Sequence, residues 1–412
     1  MPKIYPFKAT RPVRETVSLV SSRNYESYDQ EEVESRLKYN PFSFLHVLNP
    51  GFKYHKKLTG KERFKPVKNR FEEFKEDGIL KTDENPAFYV HQIVYRNQQK
   101  FTGIIGACHA EDYLNDLIKK HEDTLQARVE LFTDYLNTVR FNAEPVLICH
   151  ETDDDLQQLI NRKIKVRPEY EFATTSRETH YLWVIHKEED QKRIQACFEK
   201  MPDLYIADGH HRIASSANLA SQLESASDNY TGKEAFNYIM SYFIAEDQLA
   251  IQEFNRLVKD LNGLDKDGFL IRLDEYFRIE NRGDEYYKPH KPHHFSMYLD
   301  GEFYSLYLRK DQLDMDNALD EVDAHILYTF ILQPILGIED LKKDDRIKYV
   351  QGQKDMAYVK SAIDQKKFAV GFGMMPTSFE TIKHVADQSL CMPPKSTYID
   401  PKLRSGITVY EF

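Results

Sequence analysis

The chain has 412 residues, 41% hydrophobic and 30% charged, which is a folded composition and not a disordered one. Its formal charge of −10 argues against a nucleic-acid partner, whose phosphates call for a basic surface, and its four cysteines form no CxxC pair, so neither zinc nor a disulfide framework is expected. No signal-peptide run opens the sequence and no apolar stretch is long enough to span a bilayer, so a cytoplasmic setting without a membrane partner is expected.

In chain order, a short helix is predicted at Glu31–Tyr39, ending before Pro41, and then a buried strand at Phe42–Val47. A helix carrying Phe71 and Phe74 stops at Gly78. Phe88–Tyr95 and Phe101–Ala107 read as a hairpin across a polar connection. A helical region is expected from Glu111 to Thr138, with Leu114, Leu117, Ile118, His121 and Leu125 on one stripe and a break near His121–Asp123. Pro145–Cys149 is a strand, and the polar stretch Glu151–Glu178 reads as a domain boundary. Next come a strand at Tyr181–Ile185, a helix marked by Ile194, Cys197 and Phe198, a strand at Leu204–Ala207, a helix leaving from His210 or His211 with Ile213, Ala217 and Ala220 on one face, and a strand at Phe236–Phe243. A second soft boundary falls near Asn262-Gly263. Asp300-Gly301 between Phe295–Leu299 and Phe303–Leu308 is a strong hairpin signal. A helix with Leu319, Val322, Ile326 and Phe330 ends near Gly337, and a strand is expected at Ile407–Tyr410. The segments expected are therefore 1–175, 176–262 and 263–412, in an α+β fold of mixed sheets and helices.

The chemistry concentrates at Ala207-Asp208-Gly209-His210-His211-Arg212, where a strand hands over to a helix. Gly209 permits a tight turn and a close approach to the backbone. The N–H groups and dipole of the helix start favour an anion, and two histidines and an arginine in the first turn suit a phosphate better than they suit the helix. Arg212 offers a bidentate fork, and His210 or His211 a donor or proton shuttle near neutral pH. Asp208 can cap the helix, orient a histidine or hold Mg²⁺. The plain alternative is a capped surface helix with incidental histidines. Chelation of one metal by His210 and His211 is disfavoured, because adjacent helical residues diverge by about 100°. No P-loop, GxGxxG, GxSxG or HExxH pattern occurs, so no NAD is expected and any nucleotide must bind through this junction.

Tyr205–Arg212 resembles the signature of a bacterial and archaeal family known only as domain of unknown function 1015. Asn40–Val47, His121-Glu122-Asp123-Thr124 and Met392–Tyr398 resemble three further blocks of that family, with Ile399 standing where the family has Phe. The stretch Thr179–Tyr242 also resembles the phosphate-binding part of the ParB/sulfiredoxin superfamily, which includes free-serine kinases. That resemblance implies a ParB/sulfiredoxin-like central unit, ATP or ADP or another phosphate donor with Mg²⁺, and phosphoryl transfer involving a small hydroxy amino acid such as serine.

Further candidates are spread along the chain. His121, Glu122 and Thr124 form a polar cluster, with Glu122 as metal ligand or general base and a core position as the plain reading of His121. Lys395, Ser396 and Thr397 lie in a Pro-rich loop and offer phosphate contacts. His180 precedes the central helix and Trp183 reads as core, while Glu188 and Glu189 open the next helix, where acids commonly complement the dipole. The reading is an enzyme of phosphotransferase type acting on serine, phosphoserine or a similar compound, with Asp208, His210, His211 and Glu122 catalytic. Gly209, His210, His211, Arg212, Lys395, Ser396 and Thr397 would bind phosphate. The alternatives are a nucleotide-binding regulatory module without turnover and a phosphoester hydrolase. The expected partner is a nucleotide or small phosphate ester.

Overall fold

The hairpin predicted around residues 88–107 forms, as strands Phe88–Val94 and Lys100–His109, and it lies at the centre of a large mixed sheet. A computed structural model describes residues 1–312, 317–351 and 355–412. They fold as α+β in two compact units. The first takes residues 1–119, 124–249 and 401–412, and the second takes 120–123 and 250–400. These interleaved units do not coincide with the consecutive segments 1–175, 176–262 and 263–412. The stretch Glu151–Glu178 is internal to the first unit and contains the helix Asp154–Lys163 and the strand Tyr170–Ala173. Its polarity is that of an outer helix face, since Leu156, Leu159 and Ile160 on the inner face are buried.

The sheet of the first unit runs, in spatial order, through Tyr170–Ala173, Thr179–Ile185, Phe88–Val94, Lys100–His109, Tyr238–Ala245, Val146–His150, Leu204–Asp208 and Ile118–Lys119, with Ile4–Tyr5 added against Lys100–His109. Alternation sends Val90, Ile104, Ile148, Ile206 and Phe243 into one core. The helices Asp154–Lys163, Glu188–Phe198 and His210–Ser225 cover it with Leu156, Ile194, Phe198, Ile213 and Ala217. Each large apolar side chain so buried contributes about 1.5–3 kcal/mol.

Two local expectations fail for identifiable reasons. Phe42–Val47 is not a strand. The Asn40 Oδ1 accepts the Phe42 N–H at 3.1 Å and the Ser43 Oγ accepts the Leu45 N–H at 3.3 Å, which turns the chain into the helix Leu45–Leu48. A short apolar run fits a buried helix as well as a strand. The stretch from Glu111 to Thr138 is likewise not one broken helix. It holds a helix at Ala110–Leu114, the strand Ile118–Lys119 beside Leu204–Tyr205, and a helix at Gln126–Val139. Asp116 at φ 59° ends the first helix, so His121 sits on no helical stripe.

The second unit is built on a six-stranded antiparallel sheet in the order Phe277–Gly283, Glu302–Leu308, His294–Leu299, Val370–Gly373, Phe254–Val258 and Ile347–Gln351. Asp300 and Gly301, at φ 47° and 86°, make the hairpin turn that their sequence announced. The helix Met356–Asp364 packs Met356, Val359 and Ile363 onto Leu257 and Tyr298.

Candidate functional site

The strand Leu204–Asp208 runs between Val146–His150, antiparallel, and Ile118–Lys119, parallel. Its register shifts between Ile206 and Asp208, so Asp208 stands opposite Leu147 at the end of the strand. Gly209, at φ 98° and ψ 29°, then turns the chain directly into the helix His210–Ser225. This conformation is costly for any residue with a Cβ. A Cβ here would also lie 2.8 Å from the Arg212 Nε and Nη2. As N-cap, Gly209 has no side chain to offer the first-turn amides, and the first turn holds no acid. Ile213, Ala217 and Ala220 seat the helix in the core, and this buried face fixes where its start points.

Around the junction lies a charge network. The Arg212 Nη2 pairs with the Asp208 Oδ2 at 2.6 Å, and its Nη1 pairs with the Glu144 Oε1 at 2.5 Å and donates to the Pro145 carbonyl at 2.6 Å. The Lys402 Nζ takes the other Asp208 oxygen at 2.9 Å. Glu144 also accepts from the Asn24 Nδ2 at 2.9 Å and the Ser405 Oγ at 3.0 Å. Burial works to raise the Asp208 pKa, but Lys402 and then Arg212 outweigh it and hold the carboxyl well below the ordinary carboxylate range. Asp208 is therefore an anchored anion and a poor proton acceptor near neutrality. The Arg212 fork, expected to face a phosphate, is committed to carboxylates and a carbonyl. The cation with the most solvent access is Lys402, whose side chain is 40% exposed.

The two histidines differ. His210 is buried. The His211 Nε2 accepts the Leu125 N–H at 3.2 Å, which leaves the proton of a neutral ring on Nδ1. Thr124 precedes that amide, in the first unit.

The sequence reading missed Lys402 and Glu144. Residue 402 lies 194 positions beyond Asp208 and no local pattern marks it. Gly406 was the available signal. At φ 80° its Cβ position would lie 2.7 Å from the Phe44 ring, and its N–H donates to the Ala143 carbonyl at 3.0 Å. Phe44 of the block Asn40–Val47 thus packs closely on Gly406, four residues beyond Lys402.

Two other predicted clusters meet in the second unit. The Met392 N–H donates to the His121 carbonyl at 2.8 Å, and Glu122 forms a parallel bridge with Met392. The Ser396 Oγ donates to the Pro393 carbonyl at 2.6 Å, and Ser396 and Thr397 are buried. Lys395, at φ 59°, lends its carbonyl to the Nη2 of buried Arg256 at 2.8 Å, and its ammonium lies 5.7 Å from the Phe254 ring centroid. Burial pushes the Arg256 guanidinium down to about 10. In the second unit this loop is built chiefly on backbone contacts.

His180 is buried in the first unit. Its Nδ1 lies 3.1 Å from the His91 Nε2, its ring stacks on Phe172, and its Nε2 lies 3.6 Å from Glu178, which pairs with buried Arg404. Burial lowers the pKa of both His91 and His180. Trp183 is core, donating from Nε1 to the Val166 carbonyl at 2.8 Å. Glu188 pairs with Lys192 at 2.6 Å, and with Glu189 and Asp190 it supplies the acidic first turn of its helix. Among the described residues no three or more His, Cys, Asp or Glu side chains are grouped to hold a metal ion, and no helix is long and apolar enough to cross a membrane.

Comparison with solved structures finds limited likeness. A free serine kinase variant in complex with AMP overlaps 75% of this chain and 92% of its own, at 11% identity and a TM-score of 0.37. SbnI with a C-terminal truncation, from Staphylococcus aureus, overlaps 72% and 82% at 13% identity and 0.37. A conserved hypothetical protein from Pyrococcus furiosus overlaps 73% and 93% at 12% identity and 0.34. Likenesses at this level establish neither a shared activity nor a shared ligand. No curated protein matches the chain. A family model described as "Protein of unknown function (DUF1015)" matches residues 4–325, most of the chain, and the protein belongs to that family.

Proposed function

We propose that the junction Asp208–Arg212 binds the phosphate end of a nucleotide or phosphorylated small molecule. We further propose that the protein is a phosphotransferase acting on a small hydroxy amino acid or its phosphate ester, with serine or phosphoserine foremost. The observation that carries the reading is the helix start itself. It follows a left-handed glycine, has neither a capping side chain nor an acid in its first turn, and has the half-exposed Lys402 ammonium bound to the preceding Asp208. Arg212 and Lys402 together fix Asp208, and Glu144 fixes Arg212, so the turn is held rigid before any ligand arrives.

Phosphoryl transfer asks for positioning and charge stabilisation more than covalent chemistry. The substrate oxygen forms a bond to phosphorus as the bond to the leaving oxygen breaks, and the hydroxyl proton passes to a base. His211 can take that proton only if its Nε2 gives up the Leu125 N–H, while the Asp208 carboxylate is bound by two cations. Mg²⁺ would be held mainly by nucleotide phosphates and would neutralise their charge; such an ion needs only one or two protein carboxylates. One observation favours a nucleotide-binding module without turnover. The paired charges at the junction already balance, so an arriving anion must compete with Asp208 or Glu144 for Arg212, which is how a ligand-driven switch is built.

The test is a screen of ATP, ADP and pyrophosphate against hydroxy amino acids and their phosphates, with Arg212→Ala and Lys402→Ala alongside. Turnover that falls at least tenfold in both variants supports the phosphotransferase. Nucleotide binding without turnover supports the module, and phosphate release from phosphoserine without nucleotide supports a hydrolase. Ligand binding unaltered in both variants places the site elsewhere.

A further inference from the structure

The net charge of −10 conceals one strongly basic stretch in the first unit. Residues 53–70 hold eight lysines and arginines (Lys53, Lys56, Lys57, Lys61, Arg63, Lys65, Lys68, Arg70) against the single acid Glu62. Lys53, Lys61 and Arg70 have carboxylate partners in Glu73 and Asp134. Among the described residues no carboxylate pairs with Lys56, Lys57, Lys65 or Lys68, and the first three are exposed.

Helix stability does not explain this charge. In the helix Phe64–Glu76 Lys65, Lys68 and Arg70 precede Glu72, Glu73 and Glu76, the reverse of what the macrodipole favours, and only Lys75 in the last turn sits where it favours a cation. The turn that presents Lys53–Lys57 is also rigidly built. The Lys56 N–H donates to the Gly51 carbonyl at 3.0 Å, and a Cβ at Gly51 would lie 2.2 Å from the Lys56 oxygen. His55, at φ 52°, closes it in the left-handed region. Tyr54, in the same turn, is 62% exposed. The apolar side of the helix, Phe64, Val67, Phe71 and Phe74, is entirely buried, so the helix presents no apolar stripe to a bilayer.

We propose that the face formed by Lys53–Lys68 binds the phosphodiester backbone of single-stranded nucleic acid, with Tyr54 as a stacking surface for a base. Ammonium groups without carboxylate partners, four of them between residues 56 and 68, match a phosphate chain, and an exposed tyrosine in the same stretch matches an unpaired base. The proposal is independent of the phosphotransferase reading and uses none of its residues.

The test is fluorescence anisotropy of the full-length protein with a labelled twenty-nucleotide oligo-uridine, titrated in salt. Four lysines neutralising phosphates predict a slope of log affinity against log salt of about −3. Exchanging Lys56, Lys57, Lys65 and Lys68 for Glu should weaken binding at least tenfold, and exchanging them for Arg should preserve it. Tyr54→Ala should weaken it severalfold without changing the slope. Three results overturn the proposal: no binding at 50 mM salt, equal binding by the Glu variant, or binding to anionic vesicles but not to the oligonucleotide.

Discussion

Two cation-bearing regions of the first unit stand in opposite states. At the junction, Arg212 and Lys402 are tied to Asp208 and Glu144. On the stretch of residues 53–70, Lys56, Lys57, Lys65 and Lys68 have no carboxylate partner among the described residues, and the first three are exposed. The first pattern spends charge on shape, because each ion pair fixes a turn. The second leaves charge available to whatever approaches. Counting cationic residues would rank the second region as the stronger anion site, yet only at the first do a left-handed glycine and paired charges fix the helix start.

The comparison predicts unequal effects on stability, beginning with the largest. Arg212→Ala removes the shared partner of Asp208 and the largely buried Glu144, and is expected to cost about 2–4 kcal/mol in urea unfolding. A loss below about 0.5 kcal/mol would mean that the network is decoration. Gly209→Ala comes next, at about 1–2 kcal/mol, from its positive φ and the collision with the Arg212 guanidinium. If Gly209→Ala unfolds like the parent, the turn is not held as described. Charge reversal of Lys56, Lys57, Lys65 and Lys68 should stay within about 0.5 kcal/mol per site, since exposed, unpaired charges carry little stability.

Acid titration separates the junction from the second unit by sign. The Asp208 pKa is lowered in the folded protein, so its contribution is present above the unfolded carboxylate range and is lost as pH falls through the folded value. Asp323 in the second unit is the reverse case. Burial raises it to about 7, despite the His293 N–H that it accepts at 2.7 Å. A raised carboxyl pKa favours folding below that value, and the advantage fades as pH rises from about 4 to 7. Asp323→Asn should therefore flatten the neutral limb of the stability profile, while Asp208→Asn should flatten the acid limb. If each substitution flattens the other limb, the two burial environments have been assigned the wrong way round.

What was legible in sequence followed the range of the interaction. The turn at Asp300-Gly301, the hairpin at 88–107 and the strand-to-helix handover at Asp208–Arg212 are decided by neighbouring residues and were read correctly. The Phe42–Val47 strand failed because two side chains, Asn40 and Ser43, bend an apolar run into a helical turn. The role given to Arg212 changed because its partner Glu144, and the Lys402 that shares Asp208 with it, lie far from it in sequence, where spacing arguments do not reach. Overall charge likewise hid the basic stretch, because a sum over 412 residues says nothing of eighteen of them.

Residues 401–412 belong to the first unit although the whole of 250–400 separates them from its earlier part. A ribosome adding about 5–20 residues per second needs on the order of ten seconds to cross that insertion. Throughout that interval Asp208 and Arg212 are already outside the tunnel or entering the fold, and Lys402 has not yet been made. A chain released at Asp400 would carry every letter of the DGHHR signature and still lack the ammonium that grips Asp208. The electrostatics of the junction thus wait on a residue made 194 positions after Asp208, well after the signature has left the ribosome.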